Sequence, residues 1–447
     1  MSKPTSPNQP TSASKPTSQS GPGSPLAVRV QSLGCKVNQH EAACLLAGLL
    51  SVRGVSEAGR GDTPGLYVIN TCAVTRRAEA ESRQLVRRAL REGARVVAVG
   101  CAVDADPNLA EACELALGNA EKAGLATRLF GEAAAGESLP RASHFDGRSR
   151  ATLKVQDGCN GGCSYCIVPR LRGRSRSVPV AEVIAELERL AGLGFPEVVL
   201  CAVHLGAYGA DLEPATTLAD LLAAIIAAKE QRGLKLRVRL SSLEPPEALE
   251  IVPLLATTEA ICRHLHISLQ SGSDAVLSRM RRHYLAWSLR GLVLAACARI
   301  PGLAVGCDVI AGFPGETAEE FNETCELLSQ LPLSYLHVFP YSPRPKTLAA
   351  TMPGQVPSLE KARRAAALRE LSAKMRKAFA QAQVGSVVQA VLQGRDRATR
   401  LPTALTDNYV PVLLDLRGRR PPPEGASGLI RVRIDRVVDS RMIATPL

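Results

Sequence analysis

A chain of 447 residues with 46% hydrophobic content is long enough for two or three domains with their own cores, and no apolar run approaches the roughly 20 residues of a membrane-spanning helix. Its 54 basic against 42 acidic residues leave a net charge of +12, which favours an acidic partner without identifying one. Thirteen cysteines form an odd set; in a chain this large, with no secretion-signal pattern ahead of them, they argue against a disulfide framework and for thiols in a reducing cytoplasm.

Residues 1–26 are rich in Pro, Ser, Thr, Gln, Gly and Lys, with almost nothing apolar to bury, and a disordered arm is expected there. From 27 to 136 the pattern becomes α/β, of Rossmann-like type. One apolar run ends at Ser32-Leu-Gly-Cys-Lys-Val-Asn-Gln39, a second, Leu66-Tyr-Val-Ile69, at Asn70-Thr-Cys-Ala-Val-Thr75, and a third, Arg95-Val-Val-Ala-Val99, at Gly100-Cys101. A helical stretch follows each. Three buried-type strands therefore deliver Cys35, Cys72 and Cys101 just past the C-terminal edge, where parallel sheets build their sites. Each stands in Gly or Asn-Thr turn chemistry and not in a continuing strand, which marks a candidate cluster site. Cys44 and Cys113, within helical stretches, read as buried fillers.

Residues 137–150 read as a linker. From 151 to 383, strand-like runs near 152–157, 197–201, 235–241, 264–269, 304–310 and 335–339 alternate with helical stretches, which predicts an open, partial (βα)6 barrel with its chemistry at the strand ends. The first strand ends in Gln156-Asp-Gly-Cys-Asn-Gly-Gly-Cys-Ser-Tyr-Cys-Ile167. Cys159, Cys163 and Cys166 are too close in sequence to avoid one another, and the glycines at 158, 161 and 162 let the loop wrap tightly around something compact. Zinc would need a second ligand pair at comparable spacing, and none follows nearby. Three thiolates on a four-iron cube leave one iron open to a substrate. His204 and Asp308 invite a general-base reading, but no separate acid and base pair recruits them, and positioning roles fit better.

A strongly basic helical stretch runs from 359 to 383, with Lys361, Arg363, Arg364, Arg369, Lys374, Arg376 and Lys377. A solvated face is its default reading and an RNA-facing role its alternative. Residues 384–447 alternate short β-type runs, 386–392, 409–414, 428–434 and 442–445, with Gly and Pro turns. That predicts a small barrel of the kind that binds oligonucleotides in other settings.

With its flanking residues, Cys159-x-x-x-Cys163-x-Tyr165-Cys166 resembles the cluster loop of radical S-adenosylmethionine (SAM) enzymes. The resemblance implies that the open iron chelates SAM and that one electron cleaves it to a 5′-deoxyadenosyl radical. Gly34-Cys35-Lys36-Val37-Asn38-Gln39, Asn70-Thr-Cys-Ala-Val-Thr75 and Val99-Gly-Cys101 resemble the N-terminal domain of the methylthiotransferase branch, whose three cysteines hold an auxiliary cluster. Two [4Fe-4S] clusters and SAM are the implied cofactors. The same resemblance gives SAM-pocket roles to Tyr165, Ser241, Glu244, Gln270 and Ser271, and to the 310–315 segment with Ile310, Gly312 and Gly315. The end of the chain, with Thr406-Asp-Asn-Tyr-Val410, is similar to a TRAM domain.

Taken together, the resemblance implies a tRNA methylthiotransferase that modifies C2 of N6-threonylcarbamoyladenosine in the anticodon stem-loop and draws on an external electron donor. Lys36-Val-Asn-Gln39 carries the assignment to that subgroup, and isopentenyladenosine or a ribosomal protein is the alternative substrate. A cluster-bearing RNA-binding module without catalysis is the reading of another class, and it predicts no SAM cleavage. The chain departs from the family's usual pattern at Cys201-Ala202, where Thr-Gly is usual, and at Lys346, where Gly is usual; the second departure puts the local loop geometry in question.

Overall fold

The computed structural model describes residues 25–59, 61–131, 139–145, 148–416, 428–438 and 441–447. The expected N-terminal arm therefore lies outside the described residues except for Pro25 and Leu26, and the latter already belongs to a strand. The expected linker is described only in part.

The first sheet is parallel, in the order β2-β1-β3-β4-β5, with β1 Leu26–Ser32, β2 Val55–Glu57, β3 Leu66–Thr71, β4 Arg95–Gly100 and β5 Leu115–Leu117. Alternate residues of β3 feed two different cores. Leu66 and Val68 meet Leu45, Leu46 and Leu49 of the helix Lys36–Leu50, while Tyr67 and Ile69 meet Leu85 and Val86 of the helix Arg76–Arg91. Coverage on both faces explains why this strand reads as a continuous apolar run. Val68 and Ile69 are fully buried, each contributing about 1.5–3 kcal/mol. Thr75 caps the second helix by accepting from the Ala78 N–H. The short edge strands β2 and β5 were beyond the sequence reading.

Six parallel strands follow: β6 Arg150–Asp157, β8 Glu197–Ala202, β9 Arg237–Leu240, β10 His264–Gln270, β11 Ala304–Ala311 and β12 Tyr335–Pro340, with the two-residue β7, Arg176–Ser177, antiparallel on the outer edge of β6. The expected partial barrel is present, but β9 and β10 meet only through the bridges Val238–Ile261 and Leu243–Ile267. That seam divides the wall into sheets of four and three strands. Lys346 adopts φ +65°, so the loop keeps the left-handed conformation that glycine would take freely, at a cost of about 1–2 kcal/mol.

The helix Ser358–Ala382 lies where a basic stretch was expected. Its charge is not all solvated: Arg364 is buried, donating to Glu316 Oε1 at 2.5 Å and Glu360 Oε1 at 2.7 Å. Arg363 and Lys374 pair with Glu360 and Glu370. The C-terminal barrel is closed, in the order β13-β14-β15-β17-β16, from β13 Val387–Arg395, β14 Pro402–Thr406, β15 Pro411–Leu414, β16 Leu429–Val438 and β17 Arg441–Pro446. It has one strand more than the sequence pattern predicted, β14.

The barrel is welded to the central wall. Arg237 and Arg239 of β9, 1% and 0% exposed, bracket Glu197 of β8 at 2.8 Å. Their outer nitrogens donate to the backbone carbonyls of Gln389, Leu405, Thr406 and Asp407. Burial alone would raise the Glu197 pKa, but the two guanidiniums outweigh it and hold the carboxyl well below the usual range.

Two cysteine triads at one cavity

The radical-type triad is shaped by the turn after β6. Gly158 has φ +70°, and a Cβ there would lie 1.9 Å from the Arg174 carbonyl oxygen, so no other residue fits. A Cβ on Gly161 would lie 3.1 Å from Cys159 Sγ and 4.0 Å from Cys163 Sγ, which shows both sulfurs facing one small volume. The loop is pinned by Ser164, whose N–H donates to the Met280 carbonyl at 3.0 Å and whose Oγ donates to the Arg279 carbonyl at 2.8 Å.

Arg282 Nη1 stands 3.1 Å from Cys163 Sγ, and its Nη2 pairs with Glu244 at 2.7 Å. Behind Cys159, His204 Nδ1 lies 3.8 Å from the sulfur and its Nε2 2.7 Å from Glu247 Oε1. These contacts with Cys159 and Glu247 raise the imidazole pKa to about 10. Burial pushes the Cys159 thiol up, but the His204 contact and the Gly161 N–H bring it below its ordinary value; Cys166 is driven up to about 12 by burial. Convergent thiols with a guanidinium and an imidazolium beside them fit a thiolate-ligated cluster whose loading releases protons.

The second triad forms at the C-terminal edge of the first sheet. A Cβ on Gly34, at φ +85°, would lie 2.5 Å from Cys72 Sγ, so this glycine makes room for the thiol. Cys35 precedes the helix Lys36–Leu50, Cys72 follows β3, and Cys101 opens the short helix after β4. Cys72 is driven up to about 11 chiefly by burial, while Cys35 stands exposed to the cavity, and the charges of Cys101 and Arg172 reach both. Asn119 Nδ2 approaches Cys101 Sγ at 3.4 Å. Thiols from three strand ends within electrostatic reach of one another fit a second cluster of the same chemistry.

A buried charge network joins the two triads. Arg172, just after the radical-type loop, donates to Glu41 and to Asp157, and its Nη2 reaches the Asn38 side-chain oxygen. Lys122 and Lys154 complete the shell around Glu41 at 2.6 and 3.0 Å. Asn38 in turn donates to the Leu33 and Thr71 carbonyls, which fixes the turns that carry Cys35 and Cys72.

A cavity of about 550 Å³ opens on Cys35 from one side and on Cys159, Cys163 and Cys166 from the other. Tyr165, Ser241, Glu244 and Gln270 line it, as do both residues of the Cys201-Ala202 departure. Ser241 Oγ is buried without a partner, and Gln270 is held at φ +70°; an unsatisfied hydroxyl and a strained wall residue fit a ligand such as SAM. Ser271 lies behind the wall, its Oγ 3.2 Å from Thr324 Oγ1. Ile310 joins a small core with Phe313 and Tyr341, Gly312 N–H donates to Glu316 Oε1, and Gly315 N–H donates to the Gly354 carbonyl.

His204 and Asp308 do not form a pair. Asp308 instead accepts from His266 Nε2 at 2.8 Å and lies 3.4 Å from His337 Nδ1. Sequence reasoning missed the floor of the cavity, where Lys36, His264, His266, Tyr335, His337 and Tyr409 gather. The alternation His264-x-His266 on a strand was the available signal, since residues two apart share a face.

The radical SAM superfamily profile matches residues 153–328, and the profile described as uncharacterized protein family UPF0004 matches residues 27–116. A threonylcarbamoyladenosine tRNA methylthiotransferase of Rickettsia prowazekii is 34% identical over 87% of this chain and 92% of its own. Its counterpart in Aquifex aeolicus is 35% identical over 87% and 96%, and a tRNA-2-methylthio-N(6)-dimethylallyladenosine synthase of Pelotomaculum thermopropionicum is 31% identical over 83% and 88%. Among solved structures, the radical SAM methyltransferase TsrM of Kitasatospora setae matches with a TM-score of 0.49 and 18% identity over 65% of this chain and 64% of its own. With its two profile matches and with relatives that align over nearly their whole length, the chain belongs to the tRNA methylthiotransferase family of radical SAM enzymes.

Proposed function

We propose that this enzyme transfers a methylthio group to C2 of N6-threonylcarbamoyladenosine beside the anticodon of tRNA, with SAM and two [4Fe-4S] clusters as cofactors and an external electron donor. The relatives named for that nucleoside support it, and the observation that carries it is one cavity of nucleoside size lined by all three thiols of the first triad and by Cys35 of the second. In this reading Cys159, Cys163 and Cys166 hold the SAM-binding cluster, Cys35, Cys72 and Cys101 hold the auxiliary one, and Tyr165, Ser241, Glu244 and Gln270 face SAM. Residues 27–136 form the auxiliary domain, 151–383 the radical domain and 384–447 the TRAM domain, in a cytoplasmic enzyme. No described helix is long and apolar enough to cross a membrane.

When bound, the cofactors supply the one-electron chemistry and the methylthio group that an unactivated aromatic C–H requires. The chain supplies position and charge. Arg282 holds Cys163 Sγ and the Glu244 carboxylate in a fixed relation, and His204 keeps its proton between Cys159 and Glu247. Buried positive charge at Arg172 and Arg282 offsets the negative charge that thiolate ligation brings.

Mass spectrometry of tRNA nucleosides from cells with and without the gene tests the assignment. The 2-methylthio form of threonylcarbamoyladenosine should vanish and the unmethylthiolated nucleoside accumulate. Loss of the isopentenyl derivative instead would reassign the substrate.

A further inference from the structure

The floor of the cavity holds polar groups that its own fold leaves unsatisfied. Lys36 follows Cys35 directly and lines the cavity. Among the described residues its ammonium meets no carboxylate, whereas the buried or half-buried cations Lys122, Lys154, Arg172, Arg237, Arg239 and Arg282 all do; the other unpaired cation of the lining, Arg281, is exposed. His264, 2% exposed, has an Nδ1 with no hydrogen-bond partner. A half-buried cation without a counter-ion and a buried ring nitrogen without a partner both lose the hydration they had in the unfolded chain. Both line the same cavity, and the Lys36 charge reaches the His264 ring.

The hydrogen bonds of this floor have a direction. Asp308 accepts from His266 at Nε2, 2.8 Å away, and in the tautomer with its proton there the ring accepts at Nδ1 from the Tyr335 hydroxyl at 2.9 Å. Tyr335 oxygen then accepts from His264 Nε2–H at 2.8 Å, which leaves His264 Nδ1 a bare acceptor. The ring is held in place by Tyr409 from the C-terminal barrel, stacked at 4.5 Å. The floor therefore holds an unanswered cation and, buried beside it, an unanswered hydrogen-bond acceptor. It suits an anionic group that also carries a hydroxyl or N–H, and it is unsuited to a hydrocarbon.

We propose that Lys36 Nζ binds the carboxylate, and His264 Nδ1 the hydroxyl, of the threonyl group on the modified adenosine, and that this pair selects the threonylcarbamoyl substituent over an uncharged one. The inference rests on the function proposed above and names the residues that read the substrate. Lys36 and His264 here are specificity-determining residues at the substrate's N6 arm, remote from C2. The competing cations are Arg281, which lines the same cavity, is exposed and has no carboxylate partner among the described residues, and Arg376, exposed outside the lining with its guanidinium 5.8 Å from the Tyr335 ring.

The test compares anticodon stem-loops that carry threonylcarbamoyladenosine, its threonyl methylamide and its glycyl analogue. Binding and kcat/KM are measured on the reconstituted enzyme, together with iron content. The wild type should prefer the free carboxylate to the methylamide by roughly 10- to 100-fold, the scale of a charge-assisted hydrogen bond. Lys36→Met should bring that ratio to near unity in binding as well as turnover at unchanged iron content, and Lys36→Arg should restore most of it. The glycyl analogue, lacking the hydroxyl, should bind roughly 3- to 10-fold more weakly than the threonyl form.

A wild type that treats carboxylate and methylamide alike overturns the inference while leaving the proposed function standing. So does a Lys36→Met enzyme that keeps its discrimination while Arg281→Ala or Arg376→Ala loses it, or one that loses iron. Equal binding of the glycyl and threonyl forms overturns the His264 assignment. A wild type that modifies only the isopentenyl nucleoside overturns the proposed function itself.

Discussion

The two cysteine triads meet one cavity by opposite routes, the first through all three of its thiols and the second through Cys35. Cys159, Cys163 and Cys166 come from a single loop behind β6, where the entropy of closing so short a segment is small. Cys35, Cys72 and Cys101 come from three strand ends of another sheet, with Cys35 and Cys101 separated by most of a domain. The first site needs only its loop and the contacts that pin it. The second exists only while the sheet is folded, so its metal affinity contains the stability of that sheet. A local site can be edited residue by residue, whereas a dispersed one inherits every defect of the elements that carry it.

Removing either set of ligands is the largest test of this contrast. Cys159→Ala, Cys163→Ala and Cys166→Ala together should lower iron from about eight to about four per chain and reduce SAM cleavage to background. Cys35→Ala, Cys72→Ala and Cys101→Ala should lower iron equally but leave reductive SAM cleavage in place, with the methylthio product gone. Iron assays and product chromatography on anaerobically reconstituted protein decide it. Loss of SAM cleavage in both variants would make the triads one cooperative unit and end the distinction.

The next effect probes the joint between them. Arg172→Ala leaves Glu41 and Asp157 short of a guanidinium that is 3% exposed, and breaking such a buried pair costs about 3–5 kcal/mol. Thermal melts of the variant should fall accordingly, with the auxiliary iron lost first. Acid should act on the same network. Burial alone would raise Glu41, but Lys122, Lys154 and Arg172 hold it well below its ordinary value. Its stabilisation is therefore present above the usual carboxylate range and fades as the pH falls through that range toward the depressed folded value. A cluster-free wild type whose melting point is flat from pH 7 to about pH 3.5 would show that Glu41 contributes nothing, since the unfolded carboxylate titrates within that span.

Sequence reading found the local triad and the strand ends of the dispersed one because turn chemistry and apolar runs are short-range signals. It missed what depends on two elements meeting. Arg237 and Arg239 occupy a predicted strand, yet their burial against Glu197 and the barrel backbone follows only from docking. Asn408 and Tyr409, within the segment similar to a TRAM domain, turn inward: Asn408 donates to the Gly302 carbonyl and Gln383 Oε1, and Tyr409, at φ +64°, stacks on His264. For the same reason, deletion of 384–447 is not a clean test of RNA binding, because it would strip backbone acceptors from two buried arginines. β14 was overlooked because Pro402-Thr-Ala-Leu-Thr406 opens on a proline, has no aromatic residue and is only five residues long.

Two glycines sharpen the contrast at lower cost. Gly34→Ala places a methyl 2.5 Å from Cys72 Sγ, and Gly158→Ala places one 1.9 Å from the Arg174 carbonyl oxygen. Each forces a left-handed residue that now carries a side chain, at about 1–3 kcal/mol of strain before any clash. Gly34→Ala should deplete only the auxiliary iron and Gly158→Ala only the SAM-binding iron, as the electron paramagnetic resonance of the reduced clusters would resolve. Equal depletion of both in either variant would mean that the joint, and not the local backbone, governs metal retention.

The smallest effect lies on the barrel's outer surface, away from both triads. Arg397, Arg400 and Arg431 are exposed and have no carboxylate partner among the described residues, unlike Arg433 and Arg441, which pair with Asp435 and Asp396. Free guanidiniums of this kind suit the phosphates of tRNA, and neutralising each one should reduce the magnitude of the log–log salt slope of binding by about 0.7–0.9. Single alanine substitutions should therefore weaken tRNA binding most at low salt and converge on the wild type as salt rises. Iron content and tRNA-independent SAM cleavage should stay unchanged, because no side chain of the two triads touches these arginines. The paired Arg433 and Arg441 serve as controls, since their charge is already answered within the fold and their loss should move the slope less. If all five substitutions shift the slope equally, the barrel acts through its net charge alone; if none does, tRNA is gripped elsewhere, and the exposed Arg369, Arg376 and Lys377 of the helix Ser358–Ala382 become the surface to substitute next.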